Sequence, residues 1–302
     1  MTTRRQMLTL TALGLTLPLL PRRVFAGSTL KLGEWQLDTL SDGHLMLPVS
    51  FAFAGLPDDV VQAAMERHSL SPDGLMPPCN VTLLRNADRT VLFDVGAGPD
   101  FMSSAGRLSE ALAAIDVAPD DITDIVITHG HPDHLWGILD DFDEPAFPNA
   151  SILMGTQDHA YWTDPATADS IGGDRASFYA GASRRLSILG DAVTLFGDGD
   201  EVLPGVVARL TPGHTPGHMS FMVSGDRPAM IIGDAIGNHH LAFDNPALPS
   251  PADQDPDLGA DTRIALLADL AQNGMMAIGF HLPDGGIGRV EAQGEAYRFL
   301  SA

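Results

Sequence analysis

Apolar residues in this chain fall in short runs bounded by turn residues, and two spacings alternate along it. Val81–Leu84 and Val91–Val95 read as strands joined across the polar turn Asn86–Arg89. Glu110–Ile115 has the spacing of a helix, Asp124–Thr128 that of a short buried strand, and Ser151–Met154 that of another strand. Asp174–Leu189 predicts a helix with turn residues on either side. Val206–Leu210, Met219–Val223 and Met230–Ile232 form a run of strands, followed by a helix over Asp261–Gln272, a strand over Ala277–Phe280 and a last helix over Val290–Phe299. Strand and helix patterns alternate in two halves, each rich in strands. That order predicts an α/β fold, a sandwich of two mixed sheets with helices outside. The Pro- and Asp-rich stretch Asn245–Asp257 reads as a surface loop within one domain, and no internal repeat is visible.

Composition narrows the choice of partner. The 302 residues carry 17 basic against 39 acidic side chains, a formal charge of −22. Such an excess disfavours nucleic acid and anionic lipid surfaces, both of which need a basic face. The first 26 residues have the layout of an export signal: Arg4-Arg5, an uncharged Leu/Thr-rich stretch, Arg22-Arg23, then Val24-Phe25-Ala26 with small residues where a peptidase would cut. Paired arginines ahead of a mild apolar core read as the twin-arginine variety, which implies a periplasmic or secreted protein with no membrane attachment after cleavage. The mature domain would then be residues 27–302, with 13 basic residues against 39 acidic ones and a charge of −26. One cysteine, Cys79, can form no internal disulfide and no cysteine-rich metal site. It reads as a small buried hydrophobe at the start of a strand. Any metal must be held by carboxylates and by some of the 11 histidines.

The chemistry concentrates in Thr128-His129-Gly130-His131-Pro132-Asp133-His134, directly after the apolar strand Ile125–Ile127. Three imidazoles and a carboxylate in six residues are a metal-ligand spacing. A turn after a strand can aim alternate side chains to one side, so His129 and His131 can share one ion while Asp133 and His134 serve a neighbour. The same order of apolar strand, polar ligand and Gly- or Pro-containing turn recurs at His214 in Pro212-Gly213-His214, at Asp234 in Ile232-Gly233-Asp234, and at His281 in Gly279-Phe280-His281. An α/β scaffold collects a site at one sheet edge in this way.

Asp94 in Phe93-Asp94-Val95-Gly96, the His129-x-His131-x-Asp133-His134 cluster, His214, Asp234 and His281 stand in the order and context of the metallo-β-lactamase superfamily, which this sequence resembles from about Thr82 to Arg289. The resemblance implies an αββα sandwich with a binuclear site at one edge. His129, His131 and His214 would hold one metal, and Asp133, His134 and His281 the other. Asp234 would bridge them, Asp94 would support a ligand, and His218 would orient His214. Seven ligands exceed one tetrahedral site, which favours two divalent ions, zinc first among them. A hydroxide bridging two such ions is nucleophilic near neutral pH, and Asp133 or Asp234 can relay its proton.

Within the superfamily, β-lactamases lack the bridging aspartate and several use a cysteine ligand. Cys79 lies upstream of the cluster, outside that position. The stretches Thr211–His218 and His281–Gly288 resemble the branch of methyl parathion hydrolase and quorum-quenching lactonases, which lines its pocket with aromatics. Phe101, Trp162 and Phe178 would form that wall, and Tyr161 would assist the leaving group. The expectation is therefore a hydrolase of small neutral esters, first an acyl-homoserine lactone and second an aryl phosphotriester. A homodimer is implied by the same resemblance. A non-catalytic metal-binding or sensing protein on this fold is the alternative of another class.

Overall fold

A computed structural model describes residues 26–302. The expected export signal lies outside the described residues except for Ala26. Fourteen strands among the described residues form two seven-stranded sheets, each ordered along the chain. The first holds β1 (Ala26–Leu32), β2 (Trp35–His44), β3 (Pro78–Arg85), β4 (Thr90–Phe93), β5 (Asp124–Ile127), β6 (Ser151–Gly155) and β7 (Val193–Phe196). The second holds β8 (Glu201–Leu203), β9 (Val206–Leu210), β10 (Met219–Val223), β11 (Ala229–Gly233), β12 (Met276–Gly279), β13 (Ile287–Gln293) and β14 (Ala296–Ser301). Antiparallel hairpins start the first sheet, and β4 to β7 then run parallel. The second sheet is antiparallel apart from the parallel pair β11–β12. Helices α1 (Val49–Ala52), α2 (Asp58–Arg67), α3 (Leu108–Ala113), α4 (Pro132–Leu135), α5 (Thr156–Thr163), α6 (Pro165–Ser170), α7 (Ala176–Leu189), α8 (His239–Ala242) and α9 (Pro256–Asn273) complete the chain.

The strands nearest the centre read as unbroken apolar runs because both of their faces are covered. In β5, Val126 points into the core between the sheets, while Ile125 and Ile127 point to the outer layer with α3 and α7. In β11, Ala229 and Ile231 face the sheets' common core, while Met230 and Ile232 face α9. This period-two division gives the αββα order expected from the sequence. No helix among the described residues is long and apolar enough to cross a membrane.

The expected helix over Val290–Phe299 is instead the hairpin β13–β14. Gly294 takes a left-handed φ of 69° in a two-residue turn, and Val290 pairs with Phe299 and Ala292 with Tyr297. Val290, Tyr297 and Phe299 then share the face packed on the α9 layer; only Val290 and Tyr297 would do so in a helix, where Phe299 would lie on the opposite side. The helix expected from Asp261 begins earlier, at Pro256. The Asp255 carboxylate accepts the Leu258 N–H, proline occupies the first turn, and Gly274 at φ 59° ends the helix in the left-handed region. Strands β1, β2, β7 and β8 and helices α1, α2, α5, α6 and α8 come in addition to the expected elements.

Candidate metal centre

Each expected ligand leaves the sandwich just beyond a strand end. His129 and His131 follow β5, His214 lies between β9 and β10, Asp234 follows β11, and His281 follows β12. Asp133 and His134 sit on the short helix α4, opened by Pro132 at its first position. The cluster's glycine has a steric cause: a Cβ on Gly130 would lie 2.5 Å from the Trp162 indole. His214 is fixed by a loop sewn to the start of α9, where Gln254 N–H donates to the His214 carbonyl (3.1 Å) and Asp255 N–H to that of Gly213 (2.9 Å).

The seven side chains converge as two clusters. His129, His131 and His214 bring one ring nitrogen each within 4.8 Å of one another. Their ring centroids stand 4.6–4.8 Å apart, and His131 Nδ1 faces His214 Nε2 at 2.9 Å. Two nitrogens roughly 2.0–2.1 Å from one tetrahedral zinc stand about 3.3 Å apart, so the triad has close to the spacing of a three-nitrogen site. In the other cluster, His281 Nε2 lies 3.2 Å from Oδ2 of both Asp133 and Asp234, and His134 Nε2 lies 3.5 Å from Asp133 and 3.4 Å from Asp234. Asp234 also reaches the triad, with Oδ2 3.4 Å from His214 Nε2. His129 Nε2, His134 Nε2, Asp133 Oδ2 and Asp234 Oδ1 are buried and have no hydrogen-bond partner. Orphaned polar atoms are costly in an interior, and four of them aimed at one small space fit a bound cation.

The atoms behind the ligands set their tautomers. Asp94, at a left-handed φ of 65°, accepts from Thr128 N–H and Oγ1 (2.8 Å each) and meets His134 Nδ1 at 2.7 Å. Asp253 meets His214 Nδ1 at 3.3 Å, and the Pro78 carbonyl meets His281 Nδ1 at 2.7 Å. An acceptor on one ring nitrogen holds the proton there and leaves the other lone pair for a metal.

Electrostatics separate the clusters. Burial, reinforced by neighbouring imidazoles, holds His129 and His131 well below the ordinary histidine range. Burial opposes charge on His134 and His281 too, but Asp234 and Asp133 outweigh it and hold both well above that range. The same attraction overcomes burial at Asp133 and Asp234 and holds both carboxyls below theirs. His129 and His131 are thus neutral lone pairs, and the second cluster is a set of mutually compensating charges.

Other expected positions are redistributed. His218 makes no hydrogen bond to His214; its Nε2 accepts the Asp234 N–H at 3.0 Å and its Nδ1 meets Thr211 Oγ1 at 2.8 Å, so it positions Asp234, and Asp253 orients His214. Burial lowers His218 to about 3, which keeps it neutral for that acceptor role. Phe178 packs on His131 (5.6 Å between centroids) and Phe101 on Phe178 (6.0 Å), a partly exposed apolar wall beside the triad. Trp162 does not belong to that open wall: it is fully buried, packs on His131 from within and donates Nε1–H to Asp158 at 2.9 Å. Tyr161 packs on Trp162, and no ring contact joins it to a histidine of the clusters among the described residues. A separate cavity of about 320 Å³ opens between Val95, Gly98, Leu139 and Phe147, and none of these four aromatic residues lines it.

Asp158 and Asp253 are site residues that sequence reasoning missed. Buried Asp158 accepts from Gly130 N–H (2.7 Å), from Trp162 and from the Thr215 hydroxyl, tying the His129–His131 turn to the His214 loop. Burial pushes its carboxyl up to about 6 against those donors. Neither aspartate has a neighbouring motif, and Asp158, in the first turn of α5, looks like an ordinary helix-start acid. Cys79 is buried, as expected, but its distance along the chain from the ligands misleads: Sγ lies within 4.8 Å of ligand atoms of Asp133 and His281. Burial pushes its thiol up to about 11.

Comparison with known proteins agrees with this geometry. An uncharacterised protein of Mycobacterium tuberculosis is 29% identical over 186 residues, covering 57% of this chain and 75% of that one. An N-acyl homoserine lactonase of Bacillus cereus is 26% identical over 132 residues, covering 43% of this chain and 44% of its own length. Among solved structures, the hydrolase AbOPH of the β-lactamase superfamily superposes with a TM-score of 0.85 at 26% identity, covering 93% of this chain and 99% of that one. AidC, a dizinc quorum-quenching lactonase solved with a product, shares the fold at a TM-score of 0.85 and 23% identity, over 92% and 98% of the two chains. Residues 76–272 match the family described as the metallo-beta-lactamase superfamily. With well over half its length in that match and its histidines and aspartates gathered at the strand ends, the chain belongs to the metallo-β-lactamase superfamily and is a metal-dependent hydrolase.

Proposed function

We propose that the seven side chains hold two divalent cations, zinc first, and that the protein hydrolyses small neutral esters, with an acyl-homoserine lactone as the leading substrate. The observation that carries this reading is Asp234, whose Oδ1 faces His134 and whose Oδ2 faces both His281 and His214, so one carboxylate touches both clusters. Bound cations supply an activated water and a Lewis acid for the ester carbonyl. The chain does the rest. Asp94, Asp253 and the Pro78 carbonyl keep the protons of His134, His214 and His281 on the nitrogens that face away from the centre. A carboxylate of Asp133 or Asp234 would take the proton released when water attacks and return it to the leaving alkoxide. Phe178 and Phe101 offer an apolar surface beside His131 for an acyl chain.

The lactonase descriptions of the Bacillus relative and of AidC support a lactone as substrate, and the acid excess of the chain favours neutral over anionic esters. The Arg4-Arg5 leader supports export, with folding and metal loading completed first. Turnover of acyl-homoserine lactones, aryl esters and aryl phosphotriesters by the zinc-loaded protein tests the reading. The lactones should give the highest kcat/KM. Absence of lactone hydrolysis alongside phosphotriester turnover would replace the substrate assignment.

A further inference from the structure

Cys79 sits where the proposed chemistry gives it no task. It is the second residue of β3, and the residues on both sides of it are sewn to the loop that carries His281. The Pro78 carbonyl meets His281 Nδ1 at 2.7 Å, Asn80 N–H donates to the Phe280 carbonyl at 2.9 Å, and Asn80 Nδ2 donates to the Leu282 carbonyl at 2.8 Å. Held from both sides, the Cys79 side chain has little freedom to leave His281. It is fully buried, and Sγ, a carboxylate oxygen of Asp133 and a ring nitrogen of His281 lie within 4.8 Å of one another. A second observation points to a ligand in the same space: Asp133 is 5% exposed, and its buried Oδ2 faces His281 Nε2 at 3.2 Å yet makes no hydrogen bond of proper geometry. Packing alone asks for a small apolar side chain here, whereas a sulfur beside an orphaned carboxylate oxygen and an imidazole makes an N/O/S donor set for a borderline-soft cation.

We propose that Cys79 completes the second metal site as a sulfur ligand beside Asp133 and His281. The inference rests on the metal centre proposed above. On metal entry the thiol gives up its proton to solvent and binds as thiolate, with no change of oxidation state. The two sites then differ in kind: the triad offers nitrogen, and the second cluster offers nitrogen, oxygen and sulfur, which shifts its preference toward Zn2+ and Cd2+ over Mn2+.

The test is the absorption spectrum of the protein stripped of metal and reloaded with Co2+ without oxygen. The wild type should show visible ligand-field bands together with an intense near-ultraviolet thiolate-to-cobalt band. Cys79→Ser should keep the visible bands and lose the near-ultraviolet one. Its second equivalent of Cd2+ should also bind about tenfold more weakly or worse, by comparison with the loss of a supporting group. Visible bands without the near-ultraviolet band in the wild type, or that band persisting in Cys79→Ser, overturns the thiolate and leaves the metal centre standing. No visible bands at all overturns the centre and this inference with it. The wild-type spectrum decides even if the variant fails to fold.

Discussion

The two halves of the centre are built from similar residues on opposite electrostatic plans. His129, His131 and His214 bring imidazoles together with little opposing charge, and burial keeps His129 and His131 neutral. His134 and His281 stand against Asp133 and Asp234, and each charge offsets its neighbour. The neutral rings of His129 and His131 cost little to bury empty but gain from a cation everything their lone pairs can give. A charged cluster is already partly satisfied, so a cation entering it must displace protons from His134 and His281. Asp234 touches both and couples them.

The sharpest way to break this comparison is at the coupling residue. Asp234→Ala should cut turnover at least about 10³-fold, in line with losing a preorganised electrostatic group, while far-ultraviolet dichroism stays that of the wild type. Turnover within a few-fold of wild type would remove Asp234 from the mechanism.

A smaller effect should separate the halves. Asp158 braces the turns next to the triad's histidines directly, through Gly130 and Thr215. Asp158→Asn should therefore weaken one of two metal equivalents by about 10–100-fold and spare the other, as read by competition with a chromophoric chelator. Equal weakening of both would show that the halves do not load independently.

The smallest effect has opposite signs in the two halves of the metal-free protein. His131 titrates well below the ordinary value when folded, so acidification protonates the unfolded chain first and stability is lost. His281 titrates well above it, so its stabilisation is complete at low pH and is lost as the pH rises. Between about pH 7.5 and about pH 5.5, the window around the unfolded histidine value, the two therefore contribute in opposite directions. Urea unfolding at the two pH values should show His131→Gln less sensitive to acid than the wild type and His281→Gln more sensitive. Shifts of the same sign would refute the contrast.

What the sequence shows, and what it hides, follows from how far each signal reaches. The ligands are legible because each sits directly beyond an apolar strand, so local pattern and tertiary position coincide. Asp158 and Asp253 are not, because their partners lie 28 and 39 residues away and meet them only after the sheets close. His218 lies close enough to His214 along the chain to suggest a contact, but the turn between them aims it at Asp234 instead. Cys79 shows the reverse error, with a long stretch of chain concealing a short distance in space. The β13–β14 hairpin reads as a helix because Val290 and Tyr297 fall on one face whether the chain coils or doubles back; Phe299 joins that face only in the hairpin, and Gly294 decides between the two.

Elemental analysis of the purified protein, counted per chain, tests the central claim most directly. Two divalent cations per chain in the wild type is the predicted result. A fully loaded protein that holds only one, or none, would contradict a centre built from two coupled clusters.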